Sequence, residues 1–213
     1  RALTDVPSGL VVPASLGHRE AAFVTADGRD PGQVAGVGGA AGDWWGRLDV
    51  LVNNAGGAPA AESATASSSF IETIVALNLM APMNFCQAVH PIMSTQDGGG
   101  VIVNISSVSG TRANPQGMAY GAAKAGLESM TRTLAHEWGP AIRVVALTVG
   151  MIVTDEAAAF YGDEDSQAAV AANLPARRLG QPADVADMCL ALASPLARWV
   201  TGTCLDEIGR APV

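Results

Sequence analysis

The chain has 213 residues, a formal net charge of −8, and 49% hydrophobic against 15% charged residues. That length supports one large domain with a real core. The acidic balance argues against nucleic acid or an anionic membrane surface as a partner, no apolar run reaches the roughly 20 residues of a spanning helix, and no basic-then-apolar leader opens the sequence. Cys86, Cys189 and Cys204 are scattered without metal-ligand spacing and suit the core of a protein in a reducing cytoplasm. His18, His90 and His136 lie far apart, so no metal site is expected.

No repeat or long linker divides the chain, so residues 1–213 are expected to form a single domain. In chain order, "AAFVTAD" (Ala21–Asp27) has the pattern of a buried strand ending at a polar turn. "RLDVLVNNAGG" (Arg47–Gly57) predicts a strand followed by a loop. Ser67–Met93 predicts a long helix, with Phe70, Ile74, Leu77 and Met80 recurring at helical spacing. "GGGVIVNISSVSG" (Gly98–Gly110) is a strand between glycines. The stretch Gly117–Gly139 is the next helix, striped by Leu127, Met130 and Leu134 and stopped by Gly139-Pro140. Ala141–Gly150 is a strand, Gln181–Ser194 a helix, and Gly202–Gly209 a last short strand. Strands alternating with helices imply an α/β fold with a doubly wound parallel sheet. In such sheets ligands bind beyond the carboxyl ends of the strands, where "NNAGG", "NISSVSG" and "TVGMIVTD" all fall.

The only lysine of the chain, Lys124, stands four residues after Tyr120, one of two tyrosines. Residues four apart share a helix face. A free phenol titrates near pH ~10, and a neighbouring ammonium favours the phenolate. Lysine offers a compact charge with rotatable donors, whereas arginine is a wide planar fork. The pair taken alone also fits a surface lysine that happens to follow a tyrosine.

The surrounding motifs decide between these. "DVLVNNAG", "IVALNL", "VIVNISSVSG", "AYGAAKAGL" and "TVGMIVT" follow one another over residues 20 to 209. In order and spacing they resemble the short-chain dehydrogenase/reductase family. The resemblance implies a Rossmann-like fold and an enzyme that interconverts an alcohol and a ketone with NAD or NADP. It implies Tyr120 as the proton donor or acceptor and Lys124 as the residue that holds the nicotinamide ribose and lowers the phenol's pKa. It further implies Ser107 on the substrate oxygen and Asn78 in a water-mediated proton relay. Asn53, Ala55 and Gly56 would line the cofactor, Asp27 would meet adenine, and Gly150, Ile152 and Thr154 would lie on the loop that meets the nicotinamide. The family's pairing of long helices across a two-fold axis implies a homodimer or homotetramer. A small carbonyl or alcohol substrate, with no nucleic acid and no membrane, completes the expectation.

Two features depart from the family's pattern. The opening strand and its Thr-Gly-x-x-x-Gly-x-Gly loop are not found. "GVGGAAG" (Gly36–Gly42) has glycines but falls in a helical connection, and "GLVVPASLG" (Gly9–Gly17) carries Pro13 at the first glycine. The first βαβ unit is therefore expected to be missing, with Arg1 falling after the family's second strand. This leaves room for an alternative: a non-catalytic relative or fragment that binds no dinucleotide. A lyase or epimerase on the same scaffold is a third possibility. The last strand, "LDEIGR", also carries Asp206 and Glu207 where apolar residues are usual. A buried one would need a partner.

Overall fold

The computed structural model describes residues 24–154 and 161–209. Its centre is a parallel sheet of four strands in the order β1-β2-β3-β4. These are β1 (Val50–Asn53), β2 (Gly100–Ser107), β3 (Ile142–Val149) and β4 (Cys204–Glu207). Register is set by period-2 alternation on the two middle strands. Ile102, Ile142 and Val144 point to one face, where Cys86, Val89, Met93, Leu127 and Met130 complete a core. Val101, Val103, Val145 and Leu147 point to the other face and pack with Leu192 and Ala197. Both faces are covered, so these strands are nearly continuous apolar runs.

Helix α1 (Pro31–Trp45) starts at Asp30, whose carboxylate accepts from the backbone of Gly32 and Gln33, with Pro31 in the first turn. The glycines of "GVGGAAG" lie inside α1, as the spacing predicted. A Cβ at Gly42 would come within 3.2 Å of Ile92 Cδ1, and one at Gly38 within 3.4 Å of Ala88. Here Gly38 and Gly42 serve close helix packing, while Gly36 and Gly39 face open space.

The predicted helix over Ser67–Met93 is realised as α2 (Ser68–Val75), a π turn (Ala76–Met80) and α3 (Ala81–Met93). Ser67 caps it by accepting from the Phe70 N–H. Although no uninterrupted apolar run reaches spanning length, this helical stretch taken whole is the one among the described residues long and apolar enough to cross a membrane. Its inner face contributes Ile74, Asn78, Cys86, Val89 and Met93 to the interior. Helix α4 (Met118–Trp138) crosses the same face of the sheet. Helix α5 (Glu164–Ala172) follows β3, and α6 (Pro182–Ala193) covers the opposite face.

Two expectations need correction. The strand predicted over Ala21–Asp27 does not form at Val24–Asp27, and residues 21–23 lie outside the described residues. A strand needs a neighbour, and β1's only strand partner among the described residues is β2. No backbone pairing joins residues 24–27 to residues 48–54 among the described residues. The outward valines of β1, Val50 and Val52, are 36% and 42% exposed. The second correction concerns β4. Asp206 is exposed, while Glu207 is half-buried and its Oε2 is buried without a hydrogen-bond partner. Burial, and then the neighbouring Asp184, push the Glu207 carboxyl above its ordinary value.

Candidate active site

The carboxyl ends of β1, β2 and β3 open on one side of the sheet, and α4 begins beside them. Ser107 is the last residue of β2 and Tyr120 lies in the first turn of α4. The Ser107 hydroxyl lies beside the phenol of Tyr120 and accepts from the Ser109 N–H at 3.2 Å. Lys124 follows one turn later, is 4% exposed, and donates from Nζ to the Ile105 carbonyl at 2.7 Å. Its Nζ sits 5.6 Å from the centre of the Tyr120 ring. The strand-end loop lies close on this helix: a Cβ at Gly110 would come within 2.9 Å of the Ala125 nitrogen.

Asn78 reaches the same place from the π turn. It is fully buried, its Oδ1 accepts from the Gly57 N–H, and its Nδ2 donates to the carbonyls of Gly57 and Ile74. A π turn inside a helix spreads the backbone locally and is a common setting for functional side chains. Gly56 is wedged between the two polar groups. A Cβ there would stand 2.7 Å from Asn78 Oδ1 and 3.2 Å from Lys124 Nζ. Only glycine lets the chain after β1 pass this close.

Burial dominates the electrostatics. It holds the Lys124 ammonium down to about 8 from 10.5. It raises the Tyr120 phenol above its ordinary value, against the Ser107 hydrogen bond, and the nearby Tyr161 raises it further. The sequence pattern suggested that Lys124 would lower the phenol's pKa. In this structure desolvation outweighs any such effect, and Nζ is turned onto the Ile105 carbonyl.

The remaining predicted residues divide. Asn53 is buried, and its Nδ2 donates to Asn104 Oδ1 at 2.8 Å and to Cys86 Sγ at 3.4 Å. Its side chain therefore ties β1 to β2 and α3 instead of lining the opening. Ala55 is exposed on the loop after β1. Asp27 belongs to no strand of the sheet and pairs with Arg29 at 2.7 Å, which lowers its carboxyl to about 2. Gly150 leaves β3 with its N–H bonded to the Glu207 carbonyl. Ile152 forms an isolated parallel bridge with Gly180, and Thr154 is exposed. Residues 155–160 lie outside the described residues. Sequence reasoning missed Tyr161, which follows them and comes near Tyr120. Its being the only other tyrosine was the available signal.

The arrangement fits the nicotinamide end of a dinucleotide. A glycine lies where any side chain would collide, and a buried ammonium beside it has spent one of its three donors.

Comparison with known proteins points to one family. A family profile described as enoyl-(acyl carrier protein) reductase matches residues 4–206. A 3alpha-hydroxysteroid dehydrogenase of Mediterraneibacter gnavus is 37% identical over 184 residues, covering 86% of this chain and 72% of that protein. The aldohexose dehydrogenase of Thermoplasma acidophilum, solved in ligand-free form, superposes with a TM-score of 0.85 at 28% identity, covering 92% of this chain and 82% of that one. A 7alpha-hydroxysteroid dehydrogenase, solved with NADH and 7-oxo glycochenodeoxycholic acid, gives 0.84 at 30% identity, covering 90% and 74%. With a parallel sheet, a Ser107–Tyr120–Lys124 cluster at its carboxyl edge and relatives of this kind, the chain belongs to the short-chain dehydrogenase/reductase family of oxidoreductases.

Proposed function

We propose that this protein interconverts a secondary alcohol and a ketone with NAD or NADP, and that Tyr120 handles the proton. The observation that carries this is the meeting of Lys124 and Asn78 at Gly56, with Tyr120 one helical turn before Lys124 and Ser107 beside the phenol. The dinucleotide supplies or accepts the hydride. In the reducing direction the carbonyl carbon gains that hydride, its oxygen gains the phenolic proton of Tyr120, and the alcohol forms. Ser107 orients the substrate oxygen against the phenol. Lys124 directs its free donors to the ribose, and its charge stabilises the phenolate left behind. Asn78 holds the Gly57 backbone and so the floor of the site. Asn53 supports that floor from within, and Gly150, Ile152 and Thr154 flank the nicotinamide end. In this reading Ala55 lines the cofactor and Asp27 meets its adenine.

Titration with NADH and NADPH, followed by nicotinamide fluorescence, is expected to give a saturable change with at least one of them. A flat response up to millimolar dinucleotide would instead support a relative that does not bind cofactor. One observation favours that second reading. Among the described residues no glycine-rich turn joins a strand of the sheet to a helix, and the glycines of 36–42 lie inside α1, with Gly38 and Gly42 against Ala88 and Ile92.

The long helices also suggest a homodimer or homotetramer. Met80 and Met118 are 46% and 48% exposed at the π turn after α2 and at the start of α4. Sedimentation at micromolar concentration is expected to show two or four chains, and a monomer would remove this part of the proposal.

A further inference from the structure

Helix α4 carries a second buried ionisable group one turn beyond Lys124. Glu128 is 4% exposed. Its Oε1 accepts from Ser106 Oγ at 2.9 Å and from Thr148 Oγ1 at 3.0 Å. Ser106 and Thr148 are register partners on β2 and β3. The Ser106 hydroxyl also faces the Lys124 carbonyl at 3.5 Å. Among the described residues the salt bridges use other carboxylates.

A buried carboxylate held by hydroxyls costs stability relative to an apolar side chain of similar volume. Packing does not require it, because Leu127 and Met130 already fill the core on this helix. What the carboxylate supplies is geometry. Ser106 directly precedes Ser107, Thr148 stands two residues before Gly150, and Glu128 lies four residues after Lys124. One oxygen atom therefore ties the ends of two strands and the helix that carries Tyr120 to a common point.

We infer that Glu128 is a positioning residue for the site, fixing the seat of α4 on β2 and β3 so that Tyr120 and Lys124 face Ser107. The inference rests on the oxidoreductase reading of that site, but its test does not need turnover. Glu128→Gln removes the charge and keeps a carbonyl oxygen for both hydroxyls. The triple variant Glu128→Leu, Ser106→Ala, Thr148→Val removes acceptor and donors together, so no buried polar group is orphaned. Because Lys124 is the only lysine, lysine labelled with 13C at Cε gives one resonance from the dinucleotide-free protein.

The Gln variant is expected to keep that resonance in place and to keep kcat within about threefold of the parent. The triple variant is expected to fold with a Tm no lower than the parent's. Its Lys124 resonance should move and its kcat should fall about 30-fold, with the alcohol KM little changed. Should the triple variant not fold, Ser106→Ala and Thr148→Val singly are each expected to move the resonance part of the way. An unmoved resonance in the folded triple variant, or in both single variants, overturns the inference whatever happens to turnover. So does a Gln variant that shifts as far as the triple. A parent protein without turnover would remove the oxidoreductase reading and leave this resonance test intact.

Discussion

Replacing Tyr120 with phenylalanine is expected to reduce kcat by about a thousandfold, the upper range for loss of a positioned general acid or base. The change deletes one hydroxyl and leaves the ring. The helix around it is anchored by Ala119, Ala123 and Leu127, all buried, so the fold should be unaffected. What disappears is the phenolic hydroxyl beside Ser107. Tyr161 lies near, but it comes from a different segment and its own phenol is pushed up by burial. Dinucleotide affinity, read by fluorescence, should stay within about threefold, because Lys124 and Asn78 are untouched. If the Phe variant keeps more than about a tenth of the parent's kcat, the proton passes through another group and the role given to Tyr120 is wrong.

How far this site was legible follows from what kind of signal each residue leaves. The spacing of four put Tyr120 and Lys124 on one helix face, and Ser107 was marked by the resemblance of the strand-end motif to the family. Asn78 was readable as a polar residue in an otherwise apolar helix stripe. The π turn that carries it was not, since nothing in "VALNLM" distinguishes a five-residue turn from an α turn before the tertiary contacts to Gly57 exist. Asn53 was expected to face the opening and instead faces inward. Period 2 gives its side but not which side is occupied by Asn104 and Cys86. The network of Glu128 with Ser106 and Thr148 was invisible for the same reason: Glu128 on α4 is 22 residues from Ser106 on β2 and 20 from Thr148 on β3. Alternation of apolar runs and helical stripes was enough for the sheet, because both middle strands are buried on both faces. The expectation over Ala21–Asp27 failed at its described end because an apolar run specifies a strand only where a neighbouring strand receives it.

Lys124→Arg is expected to lower kcat/KM by about a hundredfold, the cost of displacing a reacting group by roughly an ångström. Charge is retained, so charge alone predicts little loss. The space is the difficulty. Nζ already lies 2.7 Å from the Ile105 carbonyl and 3.2 Å from where a Cβ on Gly56 would sit. A guanidinium adds two nitrogens in a rigid plane, and it cannot rotate single donors toward a ribose while meeting the carbonyl. It must push against the loop after β1 or against the Tyr120 ring 5.6 Å away. The same residue has a signature in stability. Folded Lys124 titrates at about 8 and unfolded lysine at 10.5, so between these values the unfolded chain holds a proton that the folded chain has released. Stability attributable to this residue therefore rises with pH across that window, by about 3 kcal/mol in all, and the burial cost is fully present below it. Arginine stays protonated throughout, so the variant should lose this rise and unfold at lower denaturant than the parent at pH 10, with a smaller difference at pH 7. Urea titrations at the two pH values give the comparison. Turnover within about threefold of the parent, together with an unchanged pH slope, would show that this position needs only a positive charge.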